Sequence, residues 1–595
     1  MRRTVLPRSG LMVAGLWALG LLQPGLAQDQ DVLLRSMRDE LKRSLSLKVL
    51  NLETPYYISY ALDDGESFSA AATLGGLLSS RDSRFRIPEV RVRVGSYHFD
   101  NTNYVGSDFG FGSRYAIGRF PLEDAYSLLR RSWWLETDGA YKGALEAISR
   151  KRAALKNVAV SEQIDDFAKA QPVKLLQAPR HPPLDREVWL TRVRDLSRIL
   201  TRYPEVKASQ VEFAATQSVH YLVTSEGTEV RYPATTAYLR VKTSAQANDG
   251  MTVWEGLAFQ ALEQDGLPAE AELAKRISAA AEHVTALAKA PKGELYSGPV
   301  LFEGEAASQL FAEVLGRNLA PRRRPVMEPG RSGAFASSEL EGRQGARILP
   351  EWMDVVDDPT QQEWHGRKLF GSYAVDLEGV VPQPLTLVEK GVLKNFLLTR
   401  QPLRGYSGSN GRARLPGSFG AYSATASNLF VRAGESMAPA DLKKKLLEIC
   451  QTRNKPYGVI VRKMDFPSSA SFEEVRQLLS GSARSGASHP VSLPLLVYRV
   501  YPDGREELVR GLRFQGLNAR SFKDILAAGN DQNVFEFLEN GGPFALMGLG
   551  NYLAETSVVA PSILIDDLEL RPLEDELPKL PLVPAPTAQL TLDGR

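Results

Sequence analysis

The chain has 595 residues and a single cysteine, Cys450. One thiol cannot close an internal disulfide, so no disulfide framework holds this fold. Cys450 ends the run Asp441-Leu-Lys-Lys-Lys-Leu-Leu-Glu-Ile-Cys450. Leu442, Leu446 and Ile449 share its helical face, which predicts a buried small hydrophobe rather than a reactive thiol. Histidine is also scarce. The six are His98, His181, His220, His283, His365 and His489, and none pairs at i,i+4, the spacing that sets two imidazoles on one helix face. No Gly-x-Ser-x-Gly elbow is present, and Ser488 beside His489 is a spacing that does not build a nucleophile–base pair. The Ser/Gly run from Ser480 to Ser488 reads as a flexible loop. Charge of one sign is lacking too: the formal net charge is +2, with no basic domain and no phosphate-cradling loop, which argues against nucleic-acid binding.

What is present is ordinary globular composition, 43% hydrophobic and 24% charged, on a chain long enough for at least two domains. The first residues stand apart. Arg2, Arg3 and Arg8 precede an apolar run from Leu11 to Leu22, followed by Gln23-Pro24-Gly25-Leu26-Ala27. The run is short of the ~20 apolar residues that span a bilayer, and the small residues fit cleavage after Ala27. Residues 1–27 are therefore predicted to be a signal peptide, which implies export to the periplasm or the extracellular space. No later segment is long and apolar enough for a transmembrane helix.

Periodicity predicts an α+β chain. A charged amphipathic helix is expected over Asp31–Ser46, strands over Pro55–Ala61 and Val90–Val94, and a mostly helical stretch over Asp124–Asn157 with Trp133 and Trp134 as core or interface aromatics. Pro172–Pro183 reads as a linker. A helix over Val188–Tyr203 precedes strands at Gln210–Ala215, Ser218–Thr224 and Thr236–Lys242, then a helix over Ala269–Ala290. From Val300 the pattern becomes β-rich, with a helix at 305–316, short strands between Leu369 and Thr399, and strands at Leu493–Val500, Glu507–Leu512 and Ile563–Leu570. This predicts an N-terminal mixed domain over 28–292, an antiparallel or barrel-like C-terminal domain over 293–575, and a Pro-rich tail over 576–595. Glu389-Lys390-Gly391 reads as a tight hairpin turn, and Asn410-Gly411 is the strongest short hairpin signal in the chain. Arg322-Arg323-Arg324 reads as a solvated charge run.

Glu303-Gly304-Glu305-Ala306-Ala307-Ser308-Gln309 resembles the start of the metal-binding helix of the TldD/PmbA family (the modulator of DNA gyrase family), which carries a His-Glu-x-x-x-His zinc motif there. Glu305 stands at the motif's Glu, and Gly304 and Gln309 stand at its two histidines. The run Asp376-Leu-Glu-Gly379, then Leu387-Val-Glu-Lys-Gly391-Val-Leu-Lys394, is similar to the family's "D-x-E-G" and "L-I-E-x-G-x-L-K" segments. Asn410-Gly411-Arg412-Ala413-Arg414, Ala426-Ser-Asn428 to Gly434, and the Ser225-Glu226-Gly227 turn continue the resemblance, which covers roughly 200–575.

The resemblance implies a peptidase-related protein that has lost its zinc ligands. The family's third ligand is a cysteine, and the comparable stretch Gly541–Gly550 has none. Neither glycine nor an amide is a usual zinc ligand, and His365 is the histidine nearest upstream of the matching segment. At the start of a helix, Glu305 with Glu303 is read as favouring the helix dipole rather than as a surviving general base. By resemblance the chain is expected to be a PmbA (TldE)-like subunit with no cofactor of its own, zinc residing on a TldD-like partner. It would bind extended peptides on strands between Leu369 and Thr399, with Asn410, Gly411, Arg412 and Arg414 as substrate-binding candidates. Two alternatives stand beside this: a self-sufficient metallopeptidase with non-standard ligands, and a non-enzymatic peptide-binding or scaffold protein of the cell envelope. A homo-oligomer could replace the mixed assembly.

Overall fold

A computed structural model describes residues 31–47, 52–105, 120–156, 164–180, 182–327, 338–417, 420–467, 491–540 and 553–573. The expectations for the leader, the tail, His181, His489, the Ser480–Ser488 loop and Gly541–Gly550 fall outside these residues.

Two open sheets organise the chain. In the first, a long hairpin of β1 (Pro55–Thr73) and β2 (Gly76–Val94) joins β4 (Ala208–Thr224), β5 (Glu229–Gln246), β3 (Lys174–Leu176) and β6 (Thr252–Ala261). The order is β2-β1-β4-β5-β3, with β6 also paired to β5. The sequence reading caught only the two ends of the hairpin, because Asp63-Asp64-Gly65-Glu66 interrupts the apolar alternation. Asp64 is held across the hairpin, meeting Arg84 at 2.7 Å and Arg86 at 2.8 Å. Likewise 210–215 and 218–224 form one continuous strand, and the expected linker contributes β3 to the sheet.

Because side chains alternate along a strand, Tyr60, Leu62, Phe68 and Ala70 all point to one face of this sheet and meet four helices there. These are α1 (Val32–Ser44), α2 (Tyr126–Leu155), α3 (Arg186–Arg198) and α4 (Glu270–Lys289). Asp31 and Asp185 cap α1 and α3 by accepting the backbone N–H of Leu34 and Val188. Trp133 is buried and stacks on Tyr60, whereas Trp134 is exposed.

The second sheet has eleven strands. It includes β7 (Tyr296–Phe302), β8 (Met353–Asp357), β9 (Leu385–Glu389), β10 (Val392–Leu393), β11 (Asn428–Ala433), β12 (Gly458–Met464), β13 (Pro494–Val500), β14 (Glu506–Val509), β15 (Leu512–Gln515), β16 (Ile525–Asn540) and β17 (Leu553–Pro572). Its order is β10-β9-β8-β11-β17-β7-β12-β13-β14, with β15 and β16 also on β17. The β11/β17 and β7/β12 pairs are parallel, so the sheet is mixed rather than wholly antiparallel, and its path does not close into a barrel. Helices cover both faces of its centre. Val300 and Phe302 pack toward α5 (Glu305–Leu310), while Leu301 packs toward α6 (Pro439–Thr452) with Leu442, Leu446 and the buried Cys450. Beyond Leu310 the helix continues as a wider π turn over Phe311–Gly316.

Turn chemistry divides the local expectations. Lys390 (φ 47°) and Gly391 (φ 73°) join β9 to β10 in the tight turn that the sequence predicts. Asn410-Gly411 is not a hairpin turn: the Asn410 amide instead accepts the Leu398 N–H at 2.9 Å and donates to Phe396 O at 2.8 Å. Between Leu369 and Thr399 the β9–β10 hairpin supplies the strands, and the rest is irregular. Arg323 is not a solvated charge. Its guanidinium donates to Ile164 O at 3.0 Å and meets Asp166 at 3.3 Å. Among the described residues no helix is long and apolar enough to cross a membrane.

Candidate functional site

The site is built where β7 hands the chain to α5. Gly304 sits at the helix cap with φ 59° and ψ −122°, a conformation that glycine alone enters readily. Space does not require glycine here, since an added Cβ would find Asn533 Oδ1 no nearer than 3.6 Å. The backbone requires it. The Gly304 N–H is fixed by donation to Ser562 Oγ at 2.9 Å, and that hydroxyl donates to Asp531 at 2.6 Å.

One turn on, Gln309 is buried and fully committed. Its NH2 donates to Met464 O (3.0 Å) and Phe466 O (2.9 Å), and its carbonyl oxygen accepts the Met464 N–H (2.8 Å). The amide therefore stitches α5 to the end of β12, using a donor pair and an acceptor on one head group. Glu305 lies in the first turn, as expected. One of its oxygens is 3.4 Å from the Gln309 amide nitrogen, and the other is 3.9 Å from Arg276 on α4.

A charged cluster that the sequence did not signal faces this helix start. The ammonium of Lys463 on β12 is buried and donates to Glu255 Oε1 of β6 at 2.9 Å. Glu255 Oε2 is 2.9 Å from His283 Nδ1 of α4. Burial alone would lower the Lys463 pKa, but the charges of Glu305 and Glu255 hold it above its ordinary value. Burial likewise works to raise Glu255, and the Lys463 charge and the His283 bond bring it below the usual carboxylate range. The neighbouring Asp465 accepts from the Trp254 indole at 3.1 Å. Within the π turn, burial raises the Glu313 carboxyl to about 7, against the Arg317 charge and bonds from the Ser492 N–H and hydroxyl.

The four proposed substrate-binding residues come together, yet their polar atoms are turned inward. Arg412 is 1% exposed and donates to Asp357 Oδ2 (2.9 Å), Gln383 O (2.6 Å) and Asn410 O. Arg414 bonds Ala426 O at 3.0 Å and lies over the Tyr373 ring at 4.5 Å. Gly411 (φ 78°) packs so closely that a Cβ would stand 2.9 Å from Pro382 Cα. Asp376 accepts the N–H groups of Glu378, Val380 and Ala413. Burial, then the Glu378 charge, raises its carboxyl to about 7. Glu378 accepts the Arg400 N–H, and the Arg400 guanidinium reaches Glu226 at 2.7 Å in the β4–β5 turn. His365 (φ 48°) is exposed at the tip of a short hairpin whose flanking residues Trp364 and Arg367 pair.

These residues do not fit a zinc ion. The two histidine positions hold a glycine in a glycine-specific conformation and an amide spent on backbone groups. The chain's one cysteine is buried in α6, and zinc takes Cys, His and carboxylate. Among the described residues no three of His, Cys, Asp and Glu are gathered to hold a metal. The Glu305 carboxylate has the Arg276 guanidinium at 3.9 Å and the Gln309 amide at 3.4 Å.

Residues 296–464 match the family profile of the PmbA/TldA metallopeptidase C-terminal domain. A protein named metalloprotease in Archaeoglobus fulgidus is 37% identical over 78 residues, 13% of this chain and 17% of that one. Another, in Methanothermobacter thermautotrophicus, is 27% identical over 203 residues, 33% of this chain and 40% of that one. The matches thus span well under half the length of these relatives. The fold is shared more widely. TldE from Thermococcus kodakarensis aligns with a TM-score of 0.55 at 12% identity, covering 91% of this chain and 100% of that one. A candidate modulator of DNA gyrase from Bacteroides thetaiotaomicron aligns at 0.53 and 11% identity, covering 92% and 99%.

Proposed function

The chain belongs to the TldD/PmbA family, and on that premise we propose that it is an exported, metal-free subunit. It binds extended peptides and supports proteolysis by a zinc-bearing TldD-like partner. The observation that carries the reading is at the helix cap. The backbone at Gly304 and the three bonds of Gln309 give both former ligand positions a structural use. The fold shared with TldE is consistent with a TldE-like role. Export rests on the basic and apolar run before Ala27.

Peptide binding has a physical basis in the first sheet rather than in the segment from Leu369 to Thr399. Strand β2 pairs only with β1 among the described residues, and β10 at the rim of the second sheet is two residues long. The free edge of β2 offers main-chain N–H and C=O groups that an extended peptide can meet without regard to sequence.

The test uses the mature full chain with unfolded peptides, with and without chelator, and affinity purification from the envelope of its host. Peptide binding without cleavage, and recovery of a TldD-like protein, are expected. Chelator-sensitive cleavage by the chain alone would overturn the reading.

A further inference from the structure

Beside the last residues of β2 lies a cavity of about 300 Å³, at the lower end of the range that binding pockets occupy. One wall is the strand edge at Val90–Arg93, and the other is α2 at Gly139, Ala140 and Gly143. The backbone of that edge is open. Ser225 bonds the N–H and C=O of Ile58 on the side of β1 away from β2. Ladder alternation therefore turns the N–H and C=O of its register partner Val92, and of Val90, outward from the hairpin. At one end Asn101 already serves as a short piece of neighbouring strand. Its side-chain amide accepts the Val94 N–H at 2.9 Å and donates to Val92 O at 3.3 Å. Both backbone groups of Val90 and the Val92 N–H have no such partner among the described residues.

The two faces of this edge differ in chemistry. Val90 and Val92 turn toward α2, in one apolar cluster with Trp133 and Ala140. Glycine at 139 and 143 leaves that helix wall bare, and a Cβ at Gly143 would meet nothing within 4 Å. On the opposite face Arg91 and Arg93 converge on one carbonyl, donating to Gly420 O at 3.0 and 3.2 Å. Arg93 is buried and committed to Asp100 at 2.7 Å and Thr102 at 2.9 Å. Arg91 bonds Glu89 at 2.8 Å and lies over the Tyr422 ring at 3.5 Å. A guanidinium has five N–H donors, more than these partners of Arg91 take. Glu136 lines the helix wall, so an anion is favoured on the Arg91 face and opposed on the other.

We propose that this groove takes an extended peptide as an added strand beside Val90–Val92, and that it selects an acidic residue flanked by two apolar ones. Side chains alternate across a strand. Peptide residues opposite Val90 and Val92 enter between the strand and the bare wall of α2, and the residue between them meets the Arg91 guanidinium. Main-chain bonds supply affinity and the alternating walls supply specificity. The proposal rests on the peptide-binding reading above; it adds the stretch of β2 that is used and the chemistry of the peptide.

Fluorescence anisotropy on the mature full chain tests this with dye-labelled, end-blocked Thr-Val-Glu-Val-Thr and its Gln and Lys counterparts. The glutamate peptide should bind about tenfold tighter than the lysine one, the size of one charge-assisted hydrogen bond. Arg91→Gln should abolish that preference. Gly143→Leu fills the groove from the helix side and should weaken the glutamate peptide by at least the same factor. Leucine suits a helix better than glycine, so G143L should melt no lower than the unaltered chain. Should G143L not fold, the charge series on the unaltered chain decides alone. Equal affinity for the glutamate and lysine peptides, or binding indifferent to G143L, refutes this inference and leaves peptide binding standing elsewhere on the protein. Failure of all three peptides to bind sinks the peptide-binding reading with it.

Discussion

Replacing Gln309 by the histidine of the metal motif should weaken the protein and recruit no zinc. Gln309 makes three bonds to backbone groups of residues 464 and 466, at 2.8 to 3.0 Å, and is 2% exposed. An imidazole carries two polar atoms, held in a ring, so at least one of the three backbone groups is left unpaired in the interior. An unpaired buried group costs about 1–3 kcal/mol. Gln309→Leu leaves all three backbone groups unpaired, for a loss of about 3 kcal/mol or more on the same scale. Gln309→Glu keeps the acceptor but turns a charge toward two carbonyl oxygens, so it should be at least as damaging as Q309L near neutral pH. The expected order of stability is wild type, then Q309H, then Q309L and Q309E. Urea unfolding followed by circular dichroism measures it, with zinc or chelator present in parallel. Zinc should not raise the midpoint of Q309H. Stability within about 0.5 kcal/mol of wild type, the range of an ordinary surface change, together with a zinc-dependent rise, would refute the claim that this position is committed to structure.

Other expectations follow from the same geometry. Glu313 holds a proton in the folded chain up to about pH 7, whereas its ordinary value is 4.5. The folded state binds more protons across that window, so this group's contribution to stability is lost as pH rises through it. Glu313→Gln should match wild type near about pH 5 and exceed it near about pH 8, because the amide oxygen still accepts from Ser492 without carrying a charge beside Asp465. A flat difference across that range in thermal melts would remove the argument. Breaking the buried Arg412–Asp357 pair by Arg412→Ala should cost about 3–5 kcal/mol, whereas a substrate contact would weaken peptide binding and leave unfolding untouched. Gly391→Ala and Gly405→Ala both place a side chain at positive φ, worth about 1–2 kcal/mol. G391A should lose more, because its Cβ would stand 2.2 Å from Leu349 O while nothing lies within 4 Å at Gly405. Equal losses in parallel melts would contradict the packing.

The features legible in the sequence were local ones. Glu389-Lys390-Gly391 announces its turn within three residues, and Cys450 announces its burial by helical spacing. What escaped depends on partners far away in the chain. Lys463 and Glu255 are 208 positions apart, and Arg400 and Glu226 are 174 apart. Neither pair has a spacing that periodicity can detect. Arg412 and Arg414 read as reachable charges because they follow an Asn-Gly turn signal, yet Asp357 and Glu555 draw them inward. The middle of the first hairpin was missed for the converse reason: Asp64 looks like a strand breaker until Arg84 and Arg86 are seen opposite it.

The ionic seams between the sheets bear on how this protein can be taken apart. Arg400 with Glu226, Lys463 with Glu255 and Arg510 with Asp249 each have one member on either side of residue 292. Expressed separately, each half would show the solvent a charge whose opposite number is on the missing piece, along with the apolar surface around it. A nick at that junction should therefore yield two pieces that travel together through a sizing column, and the chain is best handled, truncated and engineered as one indivisible object.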